Sequence, residues 1–280
     1  MNGQFNQQNN AYILKDKKTK FPFQNYHFNR NYYMTVANDM SGESRVLEPY
    51  EKVFNRNSRY LFVKDGEAVW RLGTDEVDDF SCEYNLHSTC LKGVKEGLAV
   101  EAEAFVPNEE MGEYFIYRVK NTGTSLKRVS LAVGYPFELG ETSVRCTCLQ
   151  DGRLIASEVL PYHVYYDDYA KIRQKNNVSF SLSSRKADKV CCSEYALFDG
   201  ANYNKDAVFA CKKQMVSYAE KPVATFFYDL ELSAGESVLF WTFTGLCKSY
   251  SDAEAFADRI LENPNRAEEE LEKAKERWEN

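Results

Sequence analysis

Cys82, His87 and Cys90 lie within the stretch DDFSCEYNLHSTCLKG and are of the types that ligate zinc. A closed zinc site needs a fourth ligand and usually a tight C-x2-4-C pair, whereas the spacing here is C-x4-H-x2-C. Period-two alternation predicts a strand over 80–90. Cys82, Tyr84, Leu86, Ser88 and Cys90 would share one face, and Glu83, Asn85, His87 and Thr89 the other. Such a strand separates the two cysteines by about 26 Å. Zinc is therefore not expected.

Glu101 and Glu103 are the next candidates, on one face of a second predicted strand. Paired carboxylates at about 5–5.5 Å or 6.5–9.5 Å suit a retaining or an inverting glycosidase. Alternating charges on the wet face of a sheet give the same pattern, so no catalytic role is assigned. The histidines, at 27, 87 and 163, are scattered, and no Ser-His-Asp arrangement, phosphate loop or metal motif stands out. Asn25 and Tyr26 could meet a saccharide, since amides and aromatic faces suit hydroxyls and pyranose rings; the plainer reading is a turn amide and a core tyrosine. Trp70 likewise reads first as a core residue at a hairpin. Catalytic residues, metal ligands and cofactors: none is assigned.

The elements that would position these residues are mostly strands. GLAVEAEAFVP alternates from Leu98 to Val106, and RYLFVKDGEAVWRL reads as two strands around Asp65-Gly66, the pair a type I′ turn prefers. Further strands are expected at NYYMTVA, EYFIYRVK, RVSLAVGYPF, NVSFSLSS, VATFFYDLEL and VLFWTFTGL, making residues 11–247 an antiparallel sandwich. From Tyr250 the pattern turns helical. One helix would begin at a Ser251/Glu254 capping box and stop at Asn263-Pro264; a second would be capped by Asn265. Leu271 and Trp278 are the second helix's large apolar side chains, so it is expected to lean on a partner surface. The domain reading is 1–249 as the β domain and 250–280 as a helical linker.

The 280 residues carry a net charge of −7, which disfavours nucleic acid and anionic membrane surfaces as partners. Lys15, Lys17, Lys18 and Lys20 form the basic cluster, read as a solvated loop. No apolar run reaches the length of about 20 residues that spans a bilayer, and the polar start MNGQFNQQNN lacks the pattern of a signal peptide. Eight cysteines without a C-x2-C pair are expected to stay reduced, which points to the cytoplasm.

TKFPFQNYHFNRNYYMTVANDMSGESR, RYLFVKDGEAVWRLGTDEVDDFSCEYNLHST and FVPNEEMGEYFIYRVKNTG together resemble the opening blocks of the cellobiose phosphorylase type of glycoside phosphorylase, the former family 36 glycosyltransferases. EYALFDG, LSAGESVLFWTFTGL and the terminal helices also fall where that family has counterparts. The resemblance implies a mainly β fold, an antiparallel β-supersandwich of the galactose mutarotase-like kind, followed by a two-helix linker. It also implies a partner (α/α)6 barrel, as domain or subunit, that carries the general acid and the phosphate site. The implied reaction is inverting phosphorolysis of β-linked oligosaccharides. A chain ending at residue 280 is expected to lack that barrel and to be non-catalytic by itself.

Departures from the family pattern cluster where the family meets sugar. Its His-Gly-x-Gly-Tyr-Thr segment reads Tyr84-Asn85-Leu86-His87-Ser88-Thr89, the turn serine survives as Ser44 but is followed by Arg45, and the insertion after GYPFEL is short. Asn25, Arg45, Glu83, Tyr84 and His87 are the expected saccharide contacts. Partners are an oligosaccharide held at the rim, the barrel, and a second copy in a homodimer. Two other readings stay open: a stand-alone saccharide-binding sandwich, and a sugar epimerase-like enzyme, which needs a carboxylate and histidines in one groove.

Overall fold

The computed structural model describes residues 3–8, 10–17, 19–47, 52–55, 59–137, 144–159, 178–194, 205–212, 216–219 and 222–279. Lys18, His163, the segment after GYPFE and most of EYALFDG lie outside the described residues.

In chain order the first strands are β1 (Gly3–Asn6), β2 (Ala11–Leu14), β3 (Gln24–Phe28), β4 (Tyr32–Ala37), β5 (Ser44–Val46) and β6 (Lys52–Asn55). Then come β7 (Tyr60–Asp65), β8 (Ala68–Arg71), β9 (Asp79–Tyr84), β10 (Thr89–Lys95), β11 (Leu98–Phe105), β12 (Gly112–Asn121) and β13 (Lys127–Pro136). The later strands are β14 (Val144–Leu149), β15 (Leu154–Val159), β16 (Val178–Ser183), β17 (Lys189–Glu194), β18 (Val216–Ala219), β19 (Pro222–Leu232) and β20 (Ser237–Cys247). Helix α1 (Lys205–Ala210) precedes β18, and α2 (Tyr250–Leu261) and α3 (Arg266–Glu279) follow β20.

They form three antiparallel sheets. The large sheet runs β1-β2-β9-β10-β11-β12-β20-β16-β15-β14-β18, the middle one β17-β19-β13-β7-β8, and the small one β3-β4-β5-β6. The main core fills the space between the large and middle sheets, where Leu98, Val100, Ala102 and Ala104 of β11 meet Leu131 and Val133 of β13 and Tyr228 of β19. Strand β11 alternates buried and half-buried side chains as its sequence predicts. Strands β12 and β20 do not alternate, because α2 and α3 cover their other face through a second core of Phe105, Tyr114, Trp241, Phe243, Ala257 and Ala267. Two covered faces turn an alternating strand into an apolar run.

Four local expectations are corrected. Residues 80–90 are not one strand: β9 and β10 form a hairpin in which Tyr84 pairs with Thr89, Glu83 with Cys90 and Cys82 with Leu91. The two-residue loop between β7 and β8 is Gly66-Glu67, and only Gly66 has positive φ (60°), the pattern of a II′ turn. Helix α2 is capped by Ser249, whose Oγ accepts from Asp252 N (3.2 Å), because Ser249-x-x-Asp252 offers the same spacing two residues before Ser251. Finally, Cys191 of β17 is disulfide-bonded to Cys211, where reduced thiols were expected; the other six cysteines are free.

Helix α3 docks on its own sandwich. Its buried face is Ala267, Glu270 and Ala274; the two alanines let the helix axis approach the sheet, and Glu270 is paired with Arg266 (3.2 Å) and Lys273 (2.8 Å). Arg266 pairs with Glu110 (2.6 Å), Asn108 Nδ2 donates to Lys273 O (3.1 Å), and Arg277 donates to Phe28 O (3.0 Å). Trp278 sets its ring edge-on to Phe28, with centroids 5.5 Å apart. The reading from Leu271 and Trp278 alone underestimated this attachment.

Candidate functional site

Two concentrations of polar residues stand out, and they differ in kind. The first is sealed. Arg59, 1 % exposed, donates from Nε to Glu113 Oε1 (2.6 Å) and from Nη2 to Glu113 Oε2 (2.9 Å) and Ser44 Oγ (2.5 Å). Its Nη1 donates to Thr35 O (2.9 Å). Glu113 Oε2 also accepts from Tyr32 and Ser44, and Ser44 meets the Tyr135 hydroxyl. Burial opposes the arginine's charge, but Glu113 beside it holds the guanidinium protonated, above its ordinary value. Arg59 stands before β7, Glu113 on β12, Ser44 on β5 and Tyr135 on β13, so the cluster pins all three sheets together. Every strong donor and acceptor is used within the protein; the cluster is structural.

The second concentration is open. A cleft of about 530 Å³ lies between the end of the β9–β10 hairpin, which contributes Glu83 of β9 and Asn85, Leu86 and His87 of the turn, and the last turn of α3, which contributes Lys275, Trp278 and Glu279. Gln8 and Asn10, from the turn between β1 and β2, form a third side. The β9–β10 turn is closed by Asn85 N donating to Ser88 O (2.9 Å) and is held from β3, where the Asn25 amide donates to Asn85 O (2.8 Å) and Thr89 Oγ1 (3.0 Å). His27, on the buried side of β3, meets Thr89 Oγ1 at 2.8 Å.

The sequence-predicted contacts divide accordingly. Glu83 and His87 come together in the cleft. Asn25 spends its amide on the wall behind them, and Tyr26, expected in the core, is 54 % exposed beside Tyr33. Tyr84 turns the other way, donating to Phe23 O (2.8 Å), with burial raising its phenol well above the usual range. Arg45, on β5, pairs with Glu43 (2.6 Å) and does not line the cleft. Trp70 is a core residue, 1 % exposed. Lys17 is latched rather than free, donating to Val77 O and Asp78 O.

Neither metal nor acid–base chemistry gains from the nearby acidic groups. Cys82 and Cys90 occupy opposite faces of the hairpin, since Cys82 shares a face with Leu91 and Cys90 with Glu83. Cys90, Glu101 and Glu103 bring ligand atoms within 4.8 Å of one another. Glu101, however, is held by Arg118 (2.6 Å) and Lys92 (3.1 Å), and Glu103 accepts from Ser88 Oγ (2.7 Å). Burial, then the neighbouring glutamates, push the Cys90 thiol far above its ordinary value, which disfavours the thiolate a metal needs. Of the histidines an epimerase would use, His27 is 2 % exposed and committed to Thr89.

Comparison with known proteins places this geometry. The glycosyl hydrolase 94 supersandwich domain matches residues 10–263. The chain belongs to that family. A curated relative, the 3-O-beta-D-glucopyranosyl-beta-D-glucuronide phosphorylase of Paenibacillus borealis, is 26% identical over 262 residues, covering 89% of this chain and 34% of the relative. The chain thus spans about a third of that relative's length. Among solved structures, a bacterial glucoamylase complexed with acarbose superposes with a TM-score of 0.57 at 10% identity, over 94% of this chain and 40% of that one. A putative kojibiose phosphorylase from the human microbiome gives 0.50 at 10% identity, over 95% and 37%. At such identity these structures establish the fold, the mainly β antiparallel supersandwich read from the sequence.

The glycosyl hydrolase 94 domain also carries residues the sequence reading missed. Lys275 and Glu279 carry no local signal of a site, and their place in the cleft depends on how α3 docks. Glu113 had a local signal: one carboxylate entering the apolar run YFIY. Its partner Arg59 is 54 residues away, and no local pattern joins them.

Proposed function

We propose that this domain is the non-catalytic, carbohydrate-associated part of a glycoside phosphorylase. It would support assembly and the rim of an active site in which a separate (α/α)6 barrel performs reversible phosphorolysis of β-linked oligosaccharides. The observation that carries the reading is the family match over residues 10–263, joined to a phosphorylase relative about three times as long. Residues 1–249 form the sandwich on this reading, and 250–280 the linker that leads toward the barrel. The β9–β10 turn is the rim, with Glu83 and His87 facing saccharide, Asn25 and Tyr84 bracing the hairpin and Arg45 at the edge of the small sheet. Partners are the barrel and a second copy in a homodimer, in the cytoplasm. Among the described residues no helix is long and apolar enough to cross a membrane.

In phosphorolysis phosphate attacks the anomeric carbon while a carboxylic acid protonates the leaving oxygen. The described carboxylates near the cleft do not form such an acid with a phosphate site. Glu103 is bonded to Ser88, and the cleft's cation, Lys275, sits among Glu83, Glu279 and a histidine held neutral. The reading assigns the chemistry to the barrel for this reason.

A second reading, a stand-alone saccharide-binding sandwich, is favoured by the unspent polar lining of the cleft. The two are separated by mixing this chain with the barrel portion of the Paenibacillus borealis relative and measuring mass by light scattering. A one-to-one complex is expected. Separate elution at micromolar concentrations, with saccharide binding intact, would favour the second reading.

A further inference from the structure

The cleft between the β9–β10 turn and the end of α3 has polar lining groups that the protein itself does not use, although the Trp278 ring also packs against Phe28 and Arg277. Among the described residues, the side chains of Glu83, Asn85, His87, Lys275 and Glu279 make no hydrogen bond or ion pair within the chain, and the Trp278 indole N–H has no partner. The contrast with Arg59 and Glu113 is direct: there each strong polar atom has a partner, and here a set of them converges on a space of about 530 Å³. Clefts of about 300–1,000 Å³ are of ligand size.

Both walls are fixed before any ligand arrives. The turn is closed by its own Asn85–Ser88 hydrogen bond and held from behind by Asn25. The helix end is tied by Arg277 to Phe28 O and by the edge contact of Trp278 with Phe28. Pre-formed walls remove part of the ordering cost of binding.

The chemistry of the lining selects a ligand class. Asn85 and neutral His87 both donate and accept, Glu83 and Glu279 accept, Lys275 donates, and Trp278 offers an aromatic ring. Closely spaced hydroxyls on a ring with an apolar face satisfy such a set. An apolar ligand would strip these groups of water without replacing their hydrogen bonds. Two carboxylates against one ammonium leave the cleft with an excess of negative charge, since burial and then Lys275 lower the His87 pKa from its ordinary value. A uronate or a phosphate would meet Glu83 and Glu279 as like charges.

We propose that this cleft is a saccharide site of the domain's own, taking one or two neutral pyranose rings with one ring against Trp278, and excluding uronates and free phosphate. The proposal rests on the carbohydrate-associated reading above, and it deepens that reading by naming a site that needs no barrel. It also sets this chain apart from its relative, whose name specifies a glucuronide.

The test is titration of the 280-residue chain with cellobiose, laminaribiose, glucuronate and inorganic phosphate, read by calorimetry and by shifts of amide and indole N–H signals. The neutral disaccharides should saturate, shifting Asn85, His87 and the Trp278 indole. Trp278→Ala and His87→Ala should each weaken binding about tenfold or more, a loss of about 1.4 kcal/mol, while Arg128→Ala on the middle sheet should leave it unchanged. Because Trp278 also packs on Phe28, unfolding curves accompany each variant, and His87→Ala, which removes no core contact, decides if Trp278→Ala misfolds. Absence of saturation by either disaccharide, equal binding of glucuronate or phosphate, or binding indifferent to His87→Ala and to folded Trp278→Ala would overturn the proposal. A chain that assembles with the barrel yet binds no saccharide sinks this site and leaves the domain reading standing; the reverse result sinks the domain reading alone.

Discussion

The Arg59–Glu113 cluster and the cleft beside the β9–β10 turn are built from the same residue types, yet they do opposite things. In the cluster an arginine, a glutamate, a serine and two tyrosines consume one another's hydrogen bonds at the junction of three sheets. In the cleft a histidine, two glutamates, a lysine and an asparagine stand unspent around open space. Residue type does not separate structure from function here. The accounting of partners does. The two described histidines repeat the lesson on a smaller scale: His27 is buried against Thr89, and His87 faces the cleft.

If that comparison is right, breaking the sealed cluster carries the largest effect. Glu113→Gln or Arg59→Met leaves one buried charge uncompensated and should lower unfolding free energy by about 3–5 kcal/mol, read by urea denaturation. The double replacement Arg59→Met with Glu113→Leu should recover a large part of that loss, because no orphaned charge remains. A double variant as unstable as the singles would mean that the cluster's shape, and not its charge balance, holds the sheets.

Next in size is the seat of α3, which frames the cleft. Ala274→Leu overfills the helix–sheet contact and should cost about 1–3 kcal/mol. Hydrogen exchange would then speed up around Trp278, while β19 stays protected. Unchanged exchange would detach the helix from the cleft's architecture.

The histidine comparison gives a pH prediction. Burial, with His87 nearby adding to it, lowers the His27 pKa from its ordinary 6.5 to about 3. The unfolded chain therefore takes up the proton first. Stability from this group is present above about pH 6.5 and is lost progressively as pH falls toward 3. His27→Gln should flatten the fall in melting temperature between pH 7 and pH 5. An unchanged slope would place the acid sensitivity elsewhere.

The smallest expected effect is at the brace between the two regions. Asn25→Ala removes the hydrogen bonds to Asn85 O and Thr89 and should cost about 1 kcal/mol, the net worth of such bonds. Its clearer readout is faster amide exchange in the β9–β10 turn with the Arg59 cluster untouched.

How far the sequence announced all this follows from which signals are local. The alternation in β11, the hairpin of β7 and β8, and the two terminal helices are written in adjacent residues and were legible. The β9–β10 turn was not, because Asn85-Leu86-His87-Ser88 contains neither glycine nor proline and alternation runs through it. What bends the chain there includes Asn25, 60 residues earlier. The docking of α3 was hidden because Ala267 and Ala274 bury little area and carry no strong apolar mark. Glu83 and His87 could be named as candidates, but Lys275, Trp278 and Glu279 join them only through that docking. The family was legible because its motifs lie mostly at core and turn positions, where packing restricts the residue that fits.

The central claim is that this supersandwich holds and presents saccharide while the chemistry belongs to a barrel. The most direct test is release of sugar 1-phosphate from cellobiose, cellodextrins, chitobiose, sophorose and 3-O-β-glucosyl glucuronide in the presence of phosphate. The purified chain should release none above a no-enzyme control. Turnover by the chain alone, abolished by a substitution in its own cleft, would contradict the account.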